Sequence, residues 1–176
     1  MNPDQVRRVL EERAVALARP AADDADDDAV ELVVLVVGAE RYGIDVRLVR
    51  EVRPLAGLAP VPGAPSAWSG LVNLRGSLCP VLSLRRYLRV AGAGQDVEAD
   101  GTGVLVVVTA PFTAALLVDA AAEVRRCAPS ELRPVTGAAG DRAHAAIQAV
   151  TGDLLQVLDP GELLADPELV VGRKAT

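Results

Sequence analysis

Hydrophobic and polar positions along most of the chain after residue 29 follow the pattern of short β-strands. Residues 30–37 are almost wholly apolar and β-branched, which is typical of a β-strand. A turn at 38–41 leads into a second strand at 42–46, and the chain extends again at 50–55. This spacing predicts a strand, a turn and a strand in close succession.

The same arrangement returns in the second half of the chain. Residues 104–109 and 112–118 predict two strands around the turn at Ala110-Pro111. The segment from Asp119 to Arg125 then parallels the segment from Asp45 to Arg53, since each closes on Glu-Val-Arg. We interpret this as a weak internal repeat of two β modules.

Two Gly-first dipeptides predict hairpins. Gly76-Ser77 separates the apolar runs 70–75 and 78–83, and a type II′ turn favours Gly at its first central position. Gly152-Asp153 gives the second signal of this kind. Pro80 has no N–H to donate, so its strand is expected at a sheet edge, or Pro80 lies where no partner strand needs a donor.

Helices are predicted only in short pieces and at the N-terminus. Residues 84–88 form a short helix, and Asp159-Pro160 caps another. An N-cap at Asn2 followed by Pro3 predicts an N-terminal helix. Because a single helix of this length is marginally stable alone, its apolar stripe is expected to dock on the body of the same chain, on a second copy or on a partner. The apolar residues of that stripe are Val6, Val9, Leu10, Ala14 and Leu17.

Residues 20–29 read as a linker, because five aspartates repel one another and nothing near them is apolar enough to bury. A calcium loop is the weaker interpretation, since the Gly and the distal Glu of such a loop are missing. Charge divides into about +1 before the linker, −5 within it and −2 after it. A nearly neutral body argues against nucleic acid as a partner.

About ten short strands with turns every eight to twelve residues predict an all-β fold, either barrels or a sandwich. No run of eighteen apolar residues occurs, so we expect no direct membrane insertion. Cys79 and Cys127 are too few for a zinc site or a redox pair, and a reducing cytoplasm is the simplest location.

Catalysis has no evident carrier in this sequence. His144 lies in a loop rich in Ala and Gly, and no nucleophile elbow, phosphate loop or paired-histidine motif occurs. Glu51 and Glu123 would make a carboxylate pair only if one pocket held both, and charged strand faces are the simpler interpretation. We therefore expect no enzyme activity, no cofactor and no metal. The alternative is a β-barrel that binds a small molecule or cofactor at a barrel junction.

Several motifs, in order and spacing, resemble the CheW family of chemotaxis coupling proteins. The likeness covers about residues 30–165, and the Asn-Leu-Arg-Gly signal at 73–76 with its upstream proline loop is its most specific part. The matching segments are Tyr42-Gly43-Ile44-Asp45-Val46, Val49-Arg50-Glu51-Val52, 60–65, 70–76, Pro80-Val81, Val118-Asp119, Glu123-Val124, Leu132-Arg133-Pro134, Leu158-Asp159 and Leu163-Leu164.

The resemblance implies a fold of two SH3-like five-stranded β-barrels with short helices. On this basis residues 30–176 form the CheW-like domain, with a first barrel at about 42–90 and a second at about 103–158. The terminal strands and a helix complete the fold. Residues 1–29 then add an extra N-terminal helix and its acidic linker.

The resemblance also implies a non-enzymatic adaptor in chemosensory signalling. Its expected partners are a CheA-type histidine kinase, bound through its regulatory domain, and the cytoplasmic tip of a chemoreceptor. The location is the cytoplasm, within receptor arrays at the inner membrane face. Kinase binding is assigned to Val49 and Glu51, and receptor or array contact to Asn73, Arg75, Gly76, Ala121 and Val124.

Overall fold

The structure is a computed structural model that describes residues 29–91, 101–109, 111–135 and 145–170. Within these ranges the chain forms eleven strands, two short α-helices and three 3-10 turns. The strands are β1 (Val30–Val37), β2 (Glu40–Asp45), β3 (Val49–Pro54), β4 (Trp68–Leu74), β5 (Ser77–Ser83), β6 (Val104–Val108), β7 (Ala114–Val118), β8 (Ala120–Cys127), β9 (Arg133–Pro134), β10 (Ile147–Val150) and β11 (Gln156–Leu158). The helices are α1 (Leu84–Tyr87) and α2 (Pro160–Leu164), and the 3-10 turns are Val46–Leu48, Pro129–Glu131 and Pro167–Leu169.

Two sheets contain all of these strands, and both sheets have the same internal order. The first sheet runs β3-β6-β7-β5-β4, and the second runs β8-β1-β2-β11-β10-β9. In each, an edge strand pairs with a hairpin, and the hairpin's second strand pairs in parallel with the next strand, as β7 does with β5 and β2 with β11. The short strand β9 is an addition to the second sheet. This order agrees with the internal repeat predicted from the sequence.

Each hairpin is followed by a strand that crosses to the other sheet. The chain leaves β2 at Asp45 and enters β3 of the first sheet, and it leaves β7 through Asp119 and enters β8 of the second. The predicted barrel ranges, 42–90 and 103–158, therefore each contain strands of both sheets. The crossing strands β3 and β8 interlock the two halves.

The described residues form three hydrophobic clusters, one within each sheet and one between the sheets. The first sheet encloses one cluster, which includes Val72, Cys79 and Leu117, and the second sheet encloses another, which includes Leu32 and Cys127. The largest cluster lies between the sheets and takes side chains from β1, β2, β5, β6, β7 and α2. Because this shared core is the largest of the three, separating the sheets would expose more apolar surface than opening either one.

Each sheet curls until its far ends approach one another. Strands β3 and β4 are the opposite edges of the first sheet, yet Arg75, next to the end of β4, contacts Glu51 of β3. Similarly, Arg125 on the edge strand β8 contacts Asp153 in the β10–β11 turn of the second sheet. The predicted all-β fold is confirmed. The predicted N-terminal helix, all of the predicted linker at 20–29 except its last residue, and His144 lie outside the described residues.

Local signals near the two hairpins are partly confirmed. Ser83 and Asp159 cap the two short helices, as their side-chain oxygens accept from Arg86 N at 3.3 Å and from Gly161 N at 2.7 Å. The edge position expected of the Pro80 strand is wrong, because β5 lies between β4 and β7. Pairing with β7 begins at Val81, so Pro80 lies just outside the region where a donor is needed.

Candidate docking surfaces

The β4–β5 hairpin ends in a tight turn centred on Arg75 and Gly76. Their φ angles are +53° and +87°, and Leu74 pairs with Ser77 on either side. Positive φ at both central residues is the geometry of a type I′ turn. The predicted type II′ turn at Gly76-Ser77 is therefore wrong by one residue. Asn73 stabilises the turn, because its Oδ1 accepts a hydrogen bond from Gly76 N at 2.8 Å.

Arg75 forms an ion pair with Glu51, and the two side chains differ sharply in exposure. Arg75 Nη2 donates to Glu51 Oε2 at 2.9 Å, with 74% of the arginine side chain exposed but only 19% of the glutamate. A non-glycine residue at positive φ carries backbone strain of about 1 kcal/mol or more. The half-buried glutamate thus holds a strained, outward-facing guanidinium at the hairpin tip. Glu51, which the resemblance assigned to the kinase, and Arg75, which it assigned to the receptor or array, are therefore in contact with each other.

Leu78 is an exposed apolar residue beside this tip that the sequence analysis missed. It pairs with Asn73 across the hairpin, and 72% of its surface is exposed. The next residue, Cys79, points into the core of the first sheet, and burial followed by the charge of Glu51 raises the pKa of its thiol. Successive side chains of a strand face opposite sides of the sheet. A prediction that Cys79 is buried would therefore also have predicted that Leu78 is exposed.

Val49 lies at the beginning of β3, two residues before Glu51. It is half-buried and packs against the large core between the sheets. Pairing of β3 with β6 shifts between Val49 and Glu51, so an irregularity separates the two positions. The Glu51–Arg75 pair joins β3 to the hairpin tip. We call the residues at this junction the tip surface, defined as Val49, Glu51, Asn73, Arg75, Gly76 and Leu78.

A second surface lies on β8, at the edge of the other sheet. Val124 is partly exposed there, while Ala121 is half-buried against the core between the sheets. The β1–β8 register shifts between Val34 and Leu35, which leaves Ala122 as an extra residue on β8. Such a bulge redirects the side chains around it. We call Ala121 and Val124 the edge surface.

An ion pair that the sequence did not reveal joins the elements behind these surfaces. Arg85 Nη2 of α1 donates to Asp119 Oδ2 at 2.5 Å, and Gly38 N of the β1–β2 turn donates to the same oxygen at 2.7 Å. Both side chains are about one-fifth exposed, at 20% and 21%. Asp119 precedes β8 directly, so this pair ties α1 of the first half to the start of the edge surface.

The described residues offer little to a reaction. They contain no group of three or more His, Cys, Asp or Glu residues placed to hold a metal ion. Glu51 and Glu123 pair with different arginines, Arg75 and Arg41, instead of sharing a pocket. Apolar side chains fill the junction between the sheets, where the small-molecule alternative had placed its site. None of the described helices is long and apolar enough to cross a membrane.

Fold and surfaces together define a class: an all-β protein of two interlocked, curled sheets whose distinctive side chains lie on its exterior. Residues 31–168 match the CheW-like domain, which is well over half of the chain. The chain belongs to the CheW-like family, and the resemblance predicted from its motifs is confirmed.

Individual relatives agree with this assignment. The chain is 26% identical to the chemotaxis protein CheW of Treponema pallidum over 149 residues, which cover 82% of this chain and 87% of that protein. It is 32% identical to protein FrzA of Myxococcus xanthus over 98 residues, 56% of this chain and 59% of FrzA. The crystal structure of the scaffolding protein TtCheW from Thermoanaerobacter tengcongensis shares the fold, with a TM-score of 0.68 at 23% identity. That alignment covers 80% of this chain and 95% of TtCheW.

Proposed function

We propose that this protein is a non-catalytic adaptor of bacterial chemosensory signalling, which couples chemoreceptors to a CheA-type histidine kinase through the kinase's regulatory domain. Membership of the CheW-like family supports the general role. The observation that carries the proposal is the Glu51–Arg75 pair, in which a half-buried acid holds an exposed, conformationally strained arginine. Backbone strain of this kind is a starting point for a functional hypothesis, and at Arg75 it coincides with an exposed charge held by an ion pair.

The kinase contact is assigned to the tip surface. Leu78 offers an exposed apolar anchor, and Arg75 beside it offers a charge whose own partner leaves most of the guanidinium free to contact another protein. An apolar centre flanked by an oriented arginine is the composition that protein interfaces favour. This assignment moves Asn73, Arg75 and Gly76 from the receptor contact to the kinase contact. Asn73 and Gly76 shape the turn.

The receptor contact is assigned to the edge surface. Strand β8 pairs with β1 alone among the described strands, so its outer edge is open to a partner. One rigid body that binds two partners raises the effective concentration of each for the other and favours the kinase arrangement that both contacts stabilise. Through the receptor, the complex would lie at the inner face of the membrane.

Binding to the regulatory domain of the cognate kinase tests the proposal. Arg75→Glu should weaken binding at least about tenfold, equivalent to 1.4 kcal/mol, because it places two acids at the tip. Arg89→Glu is the matched control, since Arg89 is also exposed and also has a φ of +53°, but lies outside both surfaces. Equal loss in both variants, or none in Arg75→Glu, would refute the kinase assignment.

A charge swap separates the ion pair from the exposed arginine. The double variant Glu51→Arg with Arg75→Glu restores opposite charges but moves the cation to the less exposed position. We expect it to keep the thermal midpoint of the native protein without recovering kinase binding. Recovered binding would show that the pair itself, and not the exposed guanidinium, is what the kinase requires.

A further inference from the structure

A groove that neither docking surface uses crosses the first sheet beside the C-terminal helix. It has a volume of about 420 Å³, and strands β4 and β5 form one wall while α2 and the turn after it form the other. Its apolar lining includes Val61, Trp68, Leu71, Phe112, Leu169 and Val170. Val61, Phe112 and Val170 are among the large apolar side chains most exposed in the described part of the chain.

Hydrogen bonds fix the elements that line the groove. Trp68 Nε1 donates to the carbonyl oxygen of Leu169 at 2.8 Å, which ties β4 to the C-terminal turn. Ala59 pairs with Leu71 on the outer side of β4 through two backbone hydrogen bonds of 2.8 Å. An apolar groove with fixed walls and exposed rims is the form that receives the apolar face of a helix.

The chain itself contains an apolar stripe of suitable shape. Residues 1–28 precede the described part, and their predicted helix carries Val6, Leu10, Ala14 and Leu17 along one face. This segment lies outside the CheW-like match, which begins at residue 31. The occupant would therefore be a feature of this chain that the family match does not include.

The length of the linker permits docking in the groove. Ten linker residues extend to roughly 33 Å, whereas the described body has a radius of gyration of about 14 Å, so the helix can reach a neighbouring face. At helical spacing Arg13 falls within the apolar stripe. The one charged residue that lines the groove, Asp166, is buried and already accepts hydrogen bonds from Tyr87 Oη at 2.9 Å and from Glu168 N at 2.8 Å, so any attraction to Arg13 would add to contacts that this acid already makes.

We propose that the helix predicted within residues 2–19 docks in this groove of its own chain, with its apolar stripe against Trp68 and Phe112. Docking shields these side chains from water, and the acidic linker at 20–29 acts as a tether. The proposal does not depend on the kinase and receptor assignments, because none of Glu51, Arg75 and Val124 lines the groove.

The intact chain provides its own probe, since Trp68 is its only tryptophan and lies in the groove. Leu10→Asp should move the tryptophan emission to longer wavelength and increase its quenching by acrylamide. Val15→Asp is the matched control, because it makes the same change of charge on the opposite face of the helix. Unchanged emission in Leu10→Asp, or equal shifts in both variants, would overturn the proposal.

A groove variant tests the contact from the other side. Phe112 is 44% exposed, so Phe112→Asp should leave the circular dichroism spectrum and the cooperativity of unfolding unchanged. It should produce the same fluorescence change as Leu10→Asp, and the double variant should add nothing further, because the two residues share one contact. Additive shifts would contradict direct contact. Shifts that grow with protein concentration, with dimers in light scattering, would assign the groove to a second copy instead.

Discussion

The two halves of this protein have the same strand order but opposite charges at their hairpin tips. In the first half the tip carries Arg75, and an acid on the edge strand β3 holds it. In the second half the tip carries Asp153, which is held by Arg125 on the edge strand β8 and more loosely by Arg41, at 2.6 and 3.6 Å. The repeated topology brings a tip and an edge strand together twice, with the charges exchanged.

The difference between the tips lies in how completely each charge is satisfied. Asp153 also accepts a hydrogen bond from Thr151 Oγ1 at 2.6 Å, so three groups surround one carboxylate. Arg75 pairs with Glu51, and its side chain is three-quarters exposed. The Asp153 carboxylate of the second tip is therefore occupied by partners within the protein, while the Arg75 guanidinium of the first tip has N–H donors available for another protein.

The two points at which the chain passes from one sheet to the other also differ in how many partners their aspartates have. Asp45, between β2 and β3, pairs with its near neighbour Arg47, which is largely exposed. Asp119, between β7 and β8, pairs with Arg85 and accepts from Gly38 N, so it joins three separate segments. Equivalent positions thus stabilise the fold to different extents, because only one of them makes contacts that are distant in sequence.

The largest expected effect follows from this contrast at the crossing points. Asp119→Ala leaves Arg85 without its partner in a mostly buried site and should lower the free energy of unfolding by about 2–4 kcal/mol. This corresponds to a fall in the thermal midpoint of about 4–16 °C for a chain of this length. Urea unfolding monitored by circular dichroism measures the change.

Asp45→Ala serves as the matched control at the other crossing point. It removes a cap of the 3-10 turn, whose Arg47 N donates to Asp45 Oδ1 at 2.8 Å, and a pair with an exposed arginine. A loss of about 1 kcal/mol is expected. Equal losses in the two variants would mean that the buried Arg85–Asp119 pair does not distinguish the halves.

A smaller effect of opposite sign is expected at the two hairpin tips. Leu154 in the second tip has a φ of +64° and is largely exposed, so Leu154→Asn should stabilise the protein by about 0.5–1 kcal/mol, since Asn tolerates this backbone region. Arg75→Asn should stabilise it less, by a few tenths, because the ion pair with Glu51 is lost. Thermal unfolding compares the two variants.

Binding distinguishes these stabilising changes. Only Arg75→Asn should weaken binding to the kinase regulatory domain, since only that change removes the exposed guanidinium. If both variants bind as the native protein does, the strain at Arg75 has no role in docking. If Leu154→Asn alone weakens binding, the kinase contact belongs to the second tip.

The smallest expected effect is the dependence of stability on pH through Asp153. The hydrogen bond from Thr151 and then the pair with Arg125 lower the pKa of Asp153 to about 2, from its ordinary value of 3.8. A carboxyl group with a lowered pKa stabilises the folded state fully above pH 4, and this contribution disappears as the pH falls towards 2. Asp153→Asn should therefore be less stable than the native protein at pH 7, and this difference should shrink as the pH falls through 2. A difference of the same size at pH 2 and pH 7 would mean that the network is not ionic.

Much of this fold could be predicted because its signals are local. The apolar runs of β1 and β7 are buried, and Asp159 caps its short helix as predicted, while the cap that Ser83 provides for the other helix was not predicted. The Arg75-Gly76 turn was misplaced because propensity favours Gly at the first central position, whereas here an arginine occupies it and pairs with Glu51. Turn preferences depend on neighbouring residues, so they do not include the contact with Glu51, which lies 24 positions away in the sequence.

By itself, the sequence determined the class of fold, the family and most of the strands, because periodicity and turn residues act over a few neighbouring positions. Only the tertiary structure decided which sheet each strand joins, since β3 and β8 cross to the opposite half. It also brought Glu51 to Arg75 and Arg85 to Asp119, because curled sheets place edges together that the linear order keeps apart. The candidate kinase surface therefore comes from a motif in the sequence and a contact made only by folding.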